Sequence, residues 1–118
     1  MKRNIVMGAI AHYQWYKVEN FFLSWKKYCS ETSDCVIFVE NISDVARKCL
    51  LLLGVKVIDI PPSECVKYIN DHRYEYYLEF LKNNRENYDK ILLCDIRDSV
   101  FQKNIFEIVK EKDFIYVA

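Results

Sequence analysis

Continuous apolar runs alternate along this chain with segments whose apolar residues recur at steps of three and four. The runs lack the in-and-out alternation of a strand that faces solvent on one side, so they are typical of parallel strands buried on both faces. Each run is short and ends at polar or turn-forming residues. Strands are therefore predicted over residues 4–10, 34–40, 55–60, 89–95 and 113–117.

The segments between the runs are predicted to be helices. In the first, Trp15, Val18, Phe22, Trp25 and Cys29 form one apolar stripe. Tyr74, Tyr77, Leu78 and Leu81 form the stripe of the third. Ser43 is a candidate N-cap, Gly54 a candidate left-handed helix stop, and Asn104 with Glu107 resembles a capping box. Helices are predicted over residues 13–29, 44–53, about 63–84 and 105–111.

Alternating strands and helices predict an α/β fold with a mostly parallel sheet, in one domain over residues 1–118. Ligands bind such sheets beyond the carboxyl ends of the strands, where the strand order reverses. The strand ends at residues 10–13, 60–63 and 95–98 are therefore the places to look for a site.

Composition narrows the function classes. The 118 residues carry 17 basic and 17 acidic side chains, so no broad positive field favours nucleic acid as a partner. No apolar run approaches the roughly 20 residues of a membrane-spanning helix, and the N-terminus does not have the pattern of a signal peptide. A cytoplasmic location is expected. The five cysteines form no C-x-x-C pair and are expected to be reduced and mostly buried.

The most informative segment lies at the end of the fourth predicted strand. Asp95 follows a buried run, and Asp98 comes three residues later, beyond Arg97. Two carboxylates at one strand end can bind Mg²⁺ or Mn²⁺, which neutralises a diphosphate and stabilises its leaving oxygen. In the alternative, Asp95 and Asp98 cap a turn and Arg97 pairs with one of them. Phe101 is expected to anchor this loop in the core.

This segment resembles the D-x-D region of GT-A glycosyltransferases, in the subgroup whose motif reads roughly D-x-R-D-x-x-F-Q-x-x-P-F. Ile105 stands in place of the proline. Upstream, Tyr13, Trp15, Phe22 and Ser24 also fit, as do Asn70, Arg73, Tyr74 and Tyr77 on the helix before the metal strand. The residues that match the motif itself are Asp95, Arg97, Asp98, Phe101, Gln102 and Phe106.

The resemblance implies a Rossmann-like, mostly parallel sheet of about five strands with helices on both faces, and a nucleotide-diphosphate sugar as donor. Asp95 and Asp98 would hold the metal and diphosphate, and Arg97 would orient Asp98 or contact a phosphate. Ala11, His12 and Tyr13 would line the base pocket. Arg73 would face the diphosphate or the sugar, although it is equally well explained as a surface residue paired with Glu75 or Glu79.

Two departures from the family pattern limit this interpretation. Arg97 occupies the position at which a strict D-x-D places an acid, so the metal would use Asp98, or Asp95 with waters. GT-A enzymes also continue past this point with a half that binds the glycan or other hydroxyl acceptor. The chain is therefore expected to be the donor-binding front half, truncated relative to the family. It would act with a partner subunit or by self-association, or be a non-catalytic nucleotide-binding remnant.

Two other enzyme classes fit less well. An aspartate-nucleophile phosphohydrolase normally has a second Asp two residues after the first, where this chain has Arg97. A nucleotidyltransferase would have a glycine-rich basic loop after the first strand, whereas residues 9–15 read AIAHYQW.

Overall fold

The computed structural model describes residues 2–12, 14–60, 69–97, 99–107 and 115–117, with the backbone alone at 69–72 and 115–117. Strands and helices alternate along the chain, and within the described residues one-turn 3-10 helices lie at Arg85–Asn87, just before the fourth strand, and at Ile105–Glu107, after it. The main elements are β1 (Arg3–Ala11), α1 (Trp15–Tyr28), β2 (Ser33–Glu40), α2 (Asp44–Leu52), β3 (Lys56–Asp59), α3 (Ile69–Asn84), β4 (Tyr88–Leu93) and β5 (Ile115–Val117).

These strands form one sheet with the order β3-β2-β1-β4-β5, and each neighbouring pair is parallel. Four strands of four to nine residues make up its body, and the three residues of β5 pair with the end of β4. β1 is central and pairs with β2 over its whole length, from Asn4 with Ser33 to Ala11 with Glu40. Parallel strands need long crossovers, and the helices between the strands supply them.

Two apolar layers cover the two faces of the sheet. On one face Val6, Ile10 and Ile37 pack against the inner sides of α1 and α2. On the other face Ile5, Met7 and Val36 pack against α3. The alternation of neighbouring residues between the layers is the two-residue period of a strand buried on both sides. The predicted α/β class, with a parallel sheet and helices on both faces, is confirmed.

Local signals in the sequence mark the start and the end of α2. The Ser43 hydroxyl accepts a hydrogen bond from the Ala46 amide at 3.1 Å, which confirms the predicted N-cap. Gly54, just after the helix, has a φ of 84°, a left-handed conformation that glycine adopts without steric cost. The predicted stop is therefore confirmed, and the chain turns directly into β3.

In the described part of the predicted helix over residues 105–111, the backbone forms a 3-10 turn and not an α-helix. Ile105–Glu107 form a single 3-10 turn, in which the Asn104 side chain accepts a hydrogen bond from the Phe106 amide at 3.1 Å. Residues 108–111 lie outside the described residues. The start of the predicted third helix, residues 63–68, also lies outside them.

The predicted apolar stripe of α3 is partly wrong. Tyr77 and Leu81 are buried, but Tyr74 and Leu78 are exposed. Their place against the sheet is taken by Tyr76 and Phe80, whose rings lie 5.9 and 6.5 Å from that of Phe38. Apolar residues nearly surround this helix, so their spacing alone does not show which side faces the sheet.

The expectation that the cysteines are mostly buried is confirmed for those the structure describes. Cys29, Cys35 and Cys94 are buried, Cys49 is half-buried, and all four are free thiols. Burial, which disfavours the thiolate, raises the pKa of Cys35 well above its usual range and that of Cys94 to about 12. Cys65 lies outside the described residues. No helix in the described part of the chain is long and apolar enough to cross a bilayer.

Candidate functional site

The strand order reverses between β1 and β4, because β2 and β3 lie on one side of β1 while β4 and β5 lie on the other. Connections at such a point leave in opposite directions and open a crevice beyond the carboxyl ends of the two strands. The polar residues at this edge of the sheet are therefore the candidate site.

Asp95 reaches this edge as predicted. The Cys94 amide continues the sheet by donating to the Met7 carbonyl at 2.9 Å, and the next side chain, that of Asp95, is exposed. Ile96 then turns back into the core, where it lies against Gly8 of β1. A Cβ atom at position 8 would lie 2.3 Å from Ile96 Cδ1, so only glycine leaves room for this contact. The buried Ile96 side chain thus fixes the backbone that carries its neighbours Asp95 and Arg97.

A second anchor fixes the far end of the acidic loop. Phe101 is buried, as expected, with its ring 5.3 Å from that of Phe21 on α1. The Phe101 amide donates to the buried Ser24 hydroxyl at 2.9 Å, and that hydroxyl donates to the Phe21 carbonyl at 2.8 Å. The loop after β4 is therefore held to β1 at one end and to α1 at the other.

Tyr77 of α3 is close enough to the end of β4 to interact electrostatically with it, and Arg73 interacts with Tyr77. Burial raises the pKa of the Tyr77 hydroxyl well above its usual range; the Arg73 charge lowers it, and Tyr74, Cys94 and Asp95 raise it. The Arg73 guanidinium lies 5.0 Å from the Tyr74 ring centre, and its Nη2 donates to the Tyr74 hydroxyl at 3.1 Å. Across the described residues, neither the buried Nε of Arg73 nor the Tyr77 hydroxyl has a hydrogen-bond partner.

A cavity of about 530 Å³ opens at the carboxyl ends of β2 and β3. Glu40, the last residue of β2, is 5% exposed, and its buried Oε1 lacks a partner in the part of the chain that is described. Arg47 and Asp59 form a two-bond ion pair on the cavity wall, at 3.1 and 2.6 Å. This pair raises the pKa of Arg47, chiefly through the hydrogen bonds to Asp59.

The residues predicted after β1 also lie near this cavity. Ala11 is half-buried beside Glu40 in the sheet register, and the exposed His12 lines the cavity. His12 and Asn41 both have left-handed backbones, with φ of 60° and 51°, and their side chains are in contact at 3.0 Å. The turns after β1 and β2 therefore place these two side chains together.

Of the other predicted site residues, Arg97 is exposed beside Asp95, while Tyr13 and Asp98 lie outside the described residues. Arg73, predicted to face the diphosphate or the sugar, is half-buried on α3 and interacts with Tyr77, which in turn interacts with Asp95. Within the described ranges, no group of three or more His, Cys, Asp or Glu side chains is arranged to hold a metal ion.

Sequence reasoning missed two residues at this edge. The sequence predicts Tyr77 as part of the apolar stripe of α3 and of the family resemblance, with no role for its hydroxyl, and Glu40 as the end of a strand. Only the Glu40 position gave a signal, because an acid closes an otherwise apolar run, Cys35–Glu40, at a predicted ligand edge. Nothing in a sequence shows that a buried hydroxyl lacks a partner, so Tyr77 could be found only from the structure.

Comparison with known proteins returned no match: no family model, no curated protein and no solved structure is detectably similar to this chain.

Proposed function

We propose that this chain binds a nucleotide-diphosphate sugar together with Mn²⁺ or Mg²⁺, and that it is the donor-binding domain of a GT-A-like glycosyltransferase. The observation that supports the proposal is the exposed Asp95 carboxylate at the end of β4, where the strand order reverses, together with Tyr77 on the helix before it, which interacts electrostatically with both Asp95 and Arg73. Carboxylate oxygens suit a hard cation, and a guanidinium suits phosphate oxygens.

The cavity beside Glu40 supports a nucleoside-sized ligand. Small-molecule sites typically enclose about 300 to 1,000 Å³, and this cavity measures about 530 Å³. A buried carboxylate oxygen accepts hydrogen bonds, so it suits the N–H of a base or the O–H of a ribose and disfavours phosphate. The nucleoside would therefore lie toward β2 and the diphosphate toward β4, with Ala11 and His12 between them.

Calorimetry with UDP and GDP, each with Mn²⁺ and with EDTA, tests the proposal. We expect metal-dependent binding by the wild type and its loss in both Asp95→Ala and Asp98→Ala, with unfolding temperatures close to that of the wild type. Glu31→Ala is the matched control, because Glu31 is an exposed acid at the opposite end of the sheet. Unchanged affinity in both aspartate variants would refute the metal-diphosphate site.

A second assay separates donor binding from catalysis. Radiolabelled sugar nucleotides are incubated with the chain and Mn²⁺, and hydrolysis and transfer to simple hydroxyl acceptors are measured. Binding without turnover assigns the chain to the non-catalytic alternative, in which a partner subunit supplies the acceptor site. Turnover that Asp98→Ala abolishes assigns it to the transferase.

A further inference from the structure

The ring of Tyr77 is well packed, but its hydroxyl has no hydrogen-bond partner among the described residues. The residue is 3% exposed, and its ring lies 5.6 Å from the rings of both Phe38 and Tyr74. The contact with Phe38 belongs to the apolar layer between α3 and the sheet. The hydroxyl at the end of this ring is buried, yet no described residue accepts or donates a hydrogen bond to it.

Folding alone does not account for this hydroxyl. A buried polar group with no partner costs about 1–3 kcal/mol, and phenylalanine would fill the same space without that cost. Arg73 lies four residues earlier on the same face of α3, and its Nε is also buried and unsatisfied within the described chain. Two such donors on successive helical turns, of which Tyr77 interacts electrostatically with Asp95, indicate a shared acceptor from outside the chain.

We propose that the Tyr77 hydroxyl and the Arg73 Nε together bind one phosphoryl group of an anionic ligand, an inference that rests on the proposed function. Both groups donate hydrogen bonds, and Arg73 adds a positive charge, so an oxygen anion satisfies them together. Asp95, which interacts electrostatically with Tyr77, would repel a bare phosphate bound there, and a divalent cation between the two would remove that repulsion. The ligand is therefore a metal-bound diphosphate.

Entry of the ligand requires a local movement, because both donor atoms are covered. The Arg73 side chain is held by Tyr74, which is 43% exposed, so the required movement is that of the Tyr74 ring toward solvent. This movement would open the Arg73 Nε and the Tyr77 hydroxyl to a phosphoryl oxygen.

The test compares Tyr77→Phe with Tyr88→Phe, which remove the same atom from opposite ends of the sheet. The Tyr88 hydroxyl donates to Asp34 Oδ2 at 2.9 Å and so has a partner within the fold. The probes are Mn²⁺ with UDP, and Mn²⁺ with inorganic pyrophosphate, measured by calorimetry alongside thermal unfolding. Pyrophosphate isolates the phosphoryl contact from any contact with the nucleoside.

For Tyr77→Phe we expect affinity for both probes to fall about tenfold or more, since a hydrogen bond to a charged group is lost, with an unfolding temperature equal to or above that of the wild type. For Tyr88→Phe we expect a lower unfolding temperature and unchanged affinity. If Tyr77→Phe binds both probes like the wild type, or unfolds at a lower temperature as Tyr88→Phe does, this inference is wrong while the proposed function stands. A wild type that binds neither probe overturns both.

Discussion

The two ends of the sheet differ in whether their polar side chains have hydrogen-bond partners. At the amino end, Arg3 donates to the Asp34 carboxylate and to the carbonyls of Ser30, Glu31 and Ser33, at 2.7 to 3.0 Å. Tyr88 donates to the same Asp34. At the carboxyl end, Glu40, Arg73 and Tyr77 each bury an atom that no described residue satisfies.

This difference separates groups that hold the fold from groups available to a ligand. Native proteins satisfy nearly all buried polar atoms, so unsatisfied ones concentrated at one end call for an explanation beyond folding. The two tyrosines show the contrast most directly, because the same side chain is bonded at one end and unbonded at the other. Substitutions at the amino end should therefore change stability, and those at the carboxyl end should change binding.

Substitution of Gly8 should give the largest effect, because it should lower both stability and ligand binding. Gly8→Ala would place a methyl group 2.3 and 2.6 Å from two carbon atoms of Ile96 and would displace the loop that carries Asp95. We expect a loss of about 3 kcal/mol in unfolding free energy, measured by urea titration, together with weaker Mn²⁺–UDP binding. In an Ile96→Ala background the same substitution should cost much less. Additive effects in this double-mutant cycle would rule out the steric explanation.

Arg3→Ala should give the next largest effect, on stability alone. It removes four hydrogen bonds, whose acceptors lie at the start of β2 and in the turn before it. We therefore expect the free energy of unfolding, measured by urea titration, to fall by about 2 kcal/mol. Arg47→Ala is the control, because Arg47 forms an ion pair with Asp59 of similar length and exposure. An exposed pair contributes little, so its loss should cost less than about 1 kcal/mol. Equal losses would show that the carbonyl bonds of Arg3 add nothing.

Tyr88→Phe should give the smallest effect, about 1 kcal/mol at neutral pH, and a distinctive pH dependence. Burial, and then the hydrogen bond to Asp34, raise the pKa of Tyr88 to about 12, from an unfolded value near 10. The folded state holds this proton more tightly, so the contribution is complete below pH 10 and is lost as the pH rises towards 12. Unfolding free energies measured from pH 8 to 12 should therefore converge for wild type and variant. A constant difference would contradict the assignment.

Much of the fold was predictable because its signals are local. The apolar runs gave β1, β2 and β4, and the serine and glycine that flank α2 gave its limits. The position of Asp95 was predictable for the same reason, since a strand of known direction delivers it to a known edge. The face of α3 was not predictable, because its packing depends on the position of Phe38, a residue distant in sequence.

The remaining site residues depend on contacts that spacing does not encode. The steric match between Gly8 and Ile96 joins residues 88 positions apart, and the Ser24 bond to Phe101 spans 77. A glycine inside a strand hints at close approach, but it does not name the side chain that approaches. The predictions for Tyr13 and Asp98 concern positions outside the described residues and stay predictions.

The rate at which the buried thiols react would show how often the native structure opens. Cys29 directly follows α1, Cys35 lies in β2 and Cys94 directly follows β4, and the folded environment keeps them as thiols at neutral pH. An alkylating reagent reacts with thiolates, so these three sites become available only when the layer around them separates. Timed alkylation followed by mass spectrometry would thus record how often the native chain opens, without any added dye or tag.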